Sequence, residues 1–249
     1  MVTFVLIHGA WHGAWCWELL TPLLEEEGHR VIAPDLPGMG NDPTPIDQVS
    51  IESWAGFVAD IVVAQPEPVI LVGHSRAGIV ISRAAELASA NLLGLVYLAA
   101  FMVRDGQTLE EVMRQIPPRP ESANSLEMSD DRRFSTIAPD AVERVFYNSS
   151  PQHLVARART LSGPEPMASF TTPLRVSEEG WGSVPRFYIE CSQDRAIAPD
   201  LQRLMQAALP CRRTIRMSTD HSPFYSAPQE LAGHLRSLAE ELGPQTLCN

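Results

Sequence analysis

Lysine is absent. All 19 basic side chains are arginine, which excludes any mechanism that needs a side-chain amine, whether as a Schiff base or beside a nucleophile. Cysteine is scarce as well. The four thiols, Cys16, Cys191, Cys211 and Cys248, make no C-x-x-C pair and no His/Cys cluster at metal-ligand spacing. No metal is therefore expected, and reduced, mostly buried thiols are expected in place of a disulfide framework. No apolar run approaches the ~18 residues that a membrane span requires. The first residues show neither the basic segment nor the small-residue cleavage site of a secretory leader, and the expected location is the cytoplasm. Positive charge is also in deficit. With 30 acidic residues the formal net charge is −11, which repels phosphate backbones and anionic lipid, so neither nucleic acid nor membrane is expected as a partner.

What is present is an ordinary globular composition, 45% apolar and 20% charged over 249 residues, enough for one domain with a large core. In the first 104 residues short apolar runs alternate with helix-like segments. "VTFVLIH", "HRVIAPD", "PVILVGH" and "LLGLVYLAA" are rich in β-branched residues and apolar on both faces, as strands buried between helical layers are. Between them, "AWCWELLTPLLEEEG", "SIESWAGFVADIVVAQ" and "RAGIVISRAAELASAN" have helical spacing, with Gly28 as a C-cap and Ser50 as an N-cap. From Asp105 to Trp181 the rhythm breaks into proline-rich, amphipathic pieces, and it resumes with "PRFYIECSQD", "PDLQRLMQAAL", "RRTIRMS" and "PQELAGHLRSLAEEL". The expected architecture is α/β: a mostly parallel sheet of about six strands with helices on both faces. The core takes residues 1–104 and 182–249, and a helical cap is inserted at 105–181.

In such a sheet, reactive groups gather at the carboxyl ends of the strands. Ser75, in "GHSRAG", follows one strand directly and precedes a helix, the setting of a nucleophile turn, although Ala77 stands where that pattern usually has glycine. Asp194 and His221 follow two later strands. The order Ser, Asp, His is that of the α/β-hydrolases, so these three form a candidate triad. His221 would take the serine proton, and Asp194 would fix its tautomer. Two backbone N–H groups would bind the oxyanion: Arg76, after the nucleophile, and Ala10, in the loop "HGAWHGAW" where Gly9 permits close approach. The Arg76 side chain is expected to face solvent along its helix. The alternatives are a carboxylate such as Asp35 or an anionic substrate. Asp220 lies beside the histidine in sequence and is expected to be a bystander. His8 and His12 are expected to brace the first loop.

"FVLIHGAWHGAWCW", "GHSRAG", "AAFM", "FYNSSPQHLVARARTL", "GSVPRFYIECSQDRAI" and "DHSPF" together resemble the plant methylesterase and hydroxynitrile lyase family of α/β-hydrolases and its bacterial carboxylesterase relatives, pyrethroid-hydrolysing enzymes among them. The resemblance spans nearly the whole chain. It implies the same triad and oxyanion positions, no cofactor, and Phe101 in the acyl pocket. Lyases of that family place threonine after the first-strand histidine and lysine after the catalytic histidine; here those positions are Gly9 and Ser222. The expected activity is cleavage of carboxylic esters with apolar or aromatic acyl groups through an acyl-enzyme. Tyr147 and Trp181, from the cap, and Ser222 join Phe101 as candidate substrate contacts. A lyase, a tailoring enzyme that opens lactones or cyclises its substrate, and a slow ligand receptor remain alternatives on this scaffold. The expected partner is a small ester, and a monomer or a homodimer fits equally.

Overall fold

Apolar runs with no polar face can sit only in a sheet covered on both sides, and the computed structural model, which describes residues 1–243, contains such a sheet. β1 (Thr3–Ile7) leads through a short 3-10 turn to α1 (Leu20–Glu26). That helix stops at Gly28, whose φ of +80° suits glycine and whose N–H donates to Glu25 O. β2 (Arg30–Ile32) follows, then α2 (Ile51–Val63). Ser50 caps α2: its Oγ accepts from Ser53 N–H (3.1 Å) while Ser53 Oγ accepts from Ser50 N–H (2.8 Å). β3 (Val69–His74), α3 (Ala77–Ala88) and β4 (Leu92–Leu98) complete the first half.

The insertion is not purely helical, which corrects the expected helical cap. It holds α4 (Leu109–Met113), β5 (Leu126–Met128), β6 (Phe134–Ile137), α5 (Gln152–Leu161), β7 (Glu165–Pro166) and α6 (Ala168–Thr171). β5, β6 and β7 form a small antiparallel sheet. Its hairpin turns through the polar stretch Ser129–Arg133, where Ser129 N–H donates to Phe134 O (2.9 Å). The strands escape periodicity reading because each has four residues or fewer and one contains a proline.

The core then resumes with β8 (Arg186–Cys191), α7 (Pro199–Ala208), β9 (Arg213–Met217), α8 (Pro223–Ser226) and α9 (Pro228–Leu242). The large sheet has the order β2-β1-β3-β4-β8-β9, all pairs parallel. The β1-to-β2 crossover runs one way and every later one runs the other. Right-handed crossovers therefore place α1 on one face and α2 with α3 on the other, where those two pack together; α9, after the last strand, packs with α1. The strand order reverses between β1 and β3, and ligands bind at such a reversal, outside the carboxyl ends. The loops after β1 and β3 are the ones that carry Ala10 and Ser75. Cys16, Cys191 and Cys211 are free thiols, and Cys248 lies outside the described residues.

Candidate active site

β3 is buried along its whole length, and only Ser75 and Arg76 separate it from α3. So tight a turn forces Ser75 to φ +56°, a left-handed conformation that costs a non-glycine residue about 1–3 kcal/mol. Three bonds hold it there. Ser75 N–H donates to Leu98 O (3.2 Å), and Ser75 O accepts from Phe101 N–H (3.0 Å) and Gly78 N–H (3.1 Å). Close approach explains the small neighbours. A Cβ on Gly73 would lie 2.9 Å from Ala77 O, one on Gly9 would lie 2.9 Å from Ser75 Cβ, and one on Gly78 would be driven into Phe101 O. The tight contact thus falls on Gly78, which is why Ala77 is tolerated.

Asp194 follows β8, His221 follows β9, and their side chains meet. His221 Nδ1–H donates to Asp194 Oδ2 at 2.7 Å, leaving Nε2 as the ring's proton acceptor. Asp194 is itself held by Ala196 N–H (2.7 Å) and Ile197 N–H (2.8 Å) on Oδ1 and by Gln202 Nε2 (3.1 Å) on Oδ2. Ser75 is joined to His221 only indirectly: among the described residues Ser75 Oγ makes no hydrogen bond to the ring. The link is His74, whose Nε2–H donates to His221 O (2.8 Å) and whose ring centroid lies 4.5 Å from that of His221.

The N–H groups of Ala10 and Arg76 donate to no protein acceptor among the described residues, and Arg76 sits at the positive end of α3. The first loop is braced as expected. His8 Nδ1–H donates to Gly9 O (2.9 Å) and its Nε2 accepts from Leu36 N–H (3.1 Å). His12 Nδ1–H donates to Ala10 O (2.6 Å), and its Nε2 accepts from Tyr147 Oη (2.6 Å). Burial, with the Arg76 guanidinium adding to it, lowers His8 to about 3. Burial also lowers His12, to about 4, although its bond to Ala10 O opposes the shift.

Over Ser75 lies a cavity of about 390 Å³, walled by Ala10, Trp11, Phe101, Phe146, Met167 and Phe170 among others. It shares Glu110, Met113, Pro118, Ser122 and Ala196 with a surface cleft of about 690 Å³, its mouth. Of the four candidate contacts only Phe101 lines the cavity. Tyr147 is turned into the core toward His12, Phe224 and Tyr225. The reason is a π-turn at Val142–Phe146, whose extra residue brings Phe146 to the cavity wall in its place. Trp181 bonds Tyr97 Oη through Nε1 (2.8 Å) and stacks under Arg186, away from the serine. Ser222 is fully buried, its amide donating to Asp220 Oδ1 (3.0 Å).

A family model described as "Alpha/beta hydrolase family" matches residues 4–234. The chain belongs to the alpha/beta hydrolase family. It is 34% identical to "Methylesterase 2" of Arabidopsis thaliana, with 95% of each chain covered, and 32% identical to "Alpha-hydroxynitrile lyase" of the same plant, covering 96% of this chain and 97% of the relative. The crystal structure of a pyrethroid hydrolase from Sphingobium faniae JZ-2 superimposes with a TM-score of 0.85 at 29% identity, over 96% of this chain and 97% of that one.

This alpha/beta hydrolase departs from the sequence reading most clearly at Arg76. Its side chain does not face solvent and does not pair with Asp35. It is fully buried against Glu165 of β7, with Nε 2.9 Å from Oε1, and its guanidinium lies 4.1 Å over the Trp54 ring. Asp35 instead accepts from Ala14 N–H (2.6 Å) and Asn41 N–H (3.0 Å). Burying an apolar helix face that begins with arginine requires an anion from elsewhere, and here the cap segment "SGPEPM" supplies it as Glu165. Asp220 is more than a bystander. It accepts from Ser149 N–H, Ser150 Oγ, Ser222 N–H and Ser226 Oγ, all at 2.8–3.0 Å, tying the His221 loop to the cap. Gln202, which steadies Asp194, carries no sequence signal beyond its place on the helix after β8.

Proposed function

We propose that this chain is a cofactor-independent serine esterase that cleaves carboxylic esters of apolar or aromatic acyl groups. The observation that carries the reading is the 2.7 Å bond from His221 Nδ1 to Asp194, which leaves a basic nitrogen on the rim that bears Ser75 in its left-handed turn. Ser75 Oγ attacks the ester carbonyl as His221 Nε2 takes its proton, and Asp194 stabilises the imidazolium. The oxyanion rests on the Ala10 and Arg76 N–H groups; each such donor is worth about 3–4 kcal/mol of barrier. Collapse expels the alcohol, protonated by His221, and water then releases the acyl group by the same steps in reverse. The aromatic and thioether wall of the cavity supports an apolar acyl part. The esterase names among the relatives support the reaction class. Against the lyase reading stand the absence of lysine and a buried serine at position 222. The reading includes a cytoplasmic location, as a monomer or a homodimer.

Fluorophosphonate labelling with peptide mapping tests it. Modification of Ser75, and loss of both labelling and 4-nitrophenyl butyrate hydrolysis in Ser75→Ala, are expected. Asp194→Asn should lower kcat by about 10³–10⁴-fold, as loss of the carboxylate does in serine proteases. A protein that resists labelling yet hydrolyses the ester would refute the serine mechanism.

A further inference from the structure

Ala10 lies between two residues held by a single ion pair. On one side, Gly9 O accepts from Arg76 Nη2 (3.4 Å) as well as from His8. On the other, Trp11 N–H donates to Glu165 Oε2 (3.3 Å), the same oxygen that accepts from Arg76 Nη2 (3.3 Å). Gly9 O and the Ala10 N–H belong to one planar peptide unit, so a contact that fixes the carbonyl also fixes the direction of the N–H. Trp11 is held at φ +61° from the cap as well: its indole N–H donates to Ser135 O (3.1 Å), and its carbonyl accepts from Gly163 N–H (3.0 Å).

The geometry points to the Arg76–Glu165 pair as a positioning device for the oxyanion hole, by which the residue that gives one donor through its backbone aims the second donor, Ala10 N–H, through its side chain. This inference rests on the serine-esterase reading. Stability alone does not account for the pair. Buried ion pairs are commonly no more stabilising than apolar residues of the same volume. Here the contact is also imperfect: Arg76 Nε is close to Oε1 but off the hydrogen-bond axis, and Nη1 has no partner among the described residues. Ser169 Oγ donates to Glu165 Oε1 (2.8 Å), fixing the carboxylate from the cap side. An arrangement that spends three donors on one buried carboxylate, one of them the amide next to Ala10, is organised around the loop.

The test compares wild type with Glu165→Gln and with the double variant Arg76→Met/Glu165→Met, which removes both charges and leaves neither unpaired. The double variant is expected to melt close to wild type. Its kcat for 4-nitrophenyl butyrate should fall at least tenfold with KM within threefold, and its affinity for an alkyl trifluoromethyl ketone, whose serine adduct carries an oxyanion, should fall in parallel. Glu165→Gln should lower kcat at least threefold with KM unchanged, and it answers the question if the double variant does not fold. A folded variant with kcat within twofold of wild type, or with KM alone raised, overturns the inference while the esterase reading stands. A wild-type protein that fluorophosphonate leaves unlabelled and that turns over no ester overturns both.

Discussion

Lowering the pH from 7 to 5 should remove about 4 kcal/mol of folding stability through His8 and His12 alone. Both are neutral in the folded chain, lowered from 6.5 to about 3 and about 4, chiefly by burial. In the unfolded chain each titrates near 6.5. At pH 5 the unfolded state therefore holds a proton on each ring and the folded state on neither. Stability rises with pH across this window and is lost as the pH falls below about 6.5. Each ring contributes roughly 1.4 pH units between pH 7 and 5, at 1.36 kcal/mol per unit, or about 2 kcal/mol. His74 acts in the same direction, since burial and then the neighbouring His221 and His12 hold it well below its ordinary range. A typical domain has only about 5–15 kcal/mol to lose. Urea unfolding at pH 7, 6 and 5, followed by tryptophan fluorescence, measures the slope, which should exceed two protons, or about 2.7 kcal/mol per pH unit, near pH 5. His12→Asn should be less stable at pH 7 yet show a slope smaller by one proton. A slope below one proton in wild type would refute the assignment of these rings as neutral.

Backbone crowding gives a second prediction. Gly78→Ala should cost about 1–3 kcal/mol, because its Cβ collides with Phe101 O. Gly56→Ala, in open space on α2, should gain about 0.5–1 kcal/mol. Opposite shifts in melting temperature are the readout. The cavity wall gives a third. Phe146→Leu should raise kcat/KM for 4-nitrophenyl decanoate relative to butyrate by about tenfold. Tyr147→Phe should leave that ratio within twofold and cost only its bond to His12, about 1 kcal/mol; equal effects would place Tyr147 at the substrate after all.

The large sheet was legible because buried parallel strands are short apolar runs, and β1, β3, β4 and β8 are such runs. Their order in the chain alone puts Ser75, Asp194 and His221 each just past the carboxyl end of a strand, at one rim. Position along the chain says less about side-chain direction. Phe146 and Tyr147 are adjacent aromatics, and only the π-turn decides which one faces the cavity. The Arg76–Glu165 contact joins residues 89 apart in sequence, and no local pattern encodes a pair that far apart. The cap sheet was hidden for a related reason: strands of two to four residues carry too few alternations to be distinguished from loop.

Asp220 has a practical consequence for engineering. Two of its four donors, the Ser149 amide and the Ser150 hydroxyl, belong to the insertion, and two belong to the segment that carries His221. A chimaera that exchanges residues 105–181 for another lid would strip this carboxylate of half its donors next to His221. Such a graft should therefore keep serines at positions 149 and 150, or change position 220 with them, whichever ester the new lid is chosen to admit.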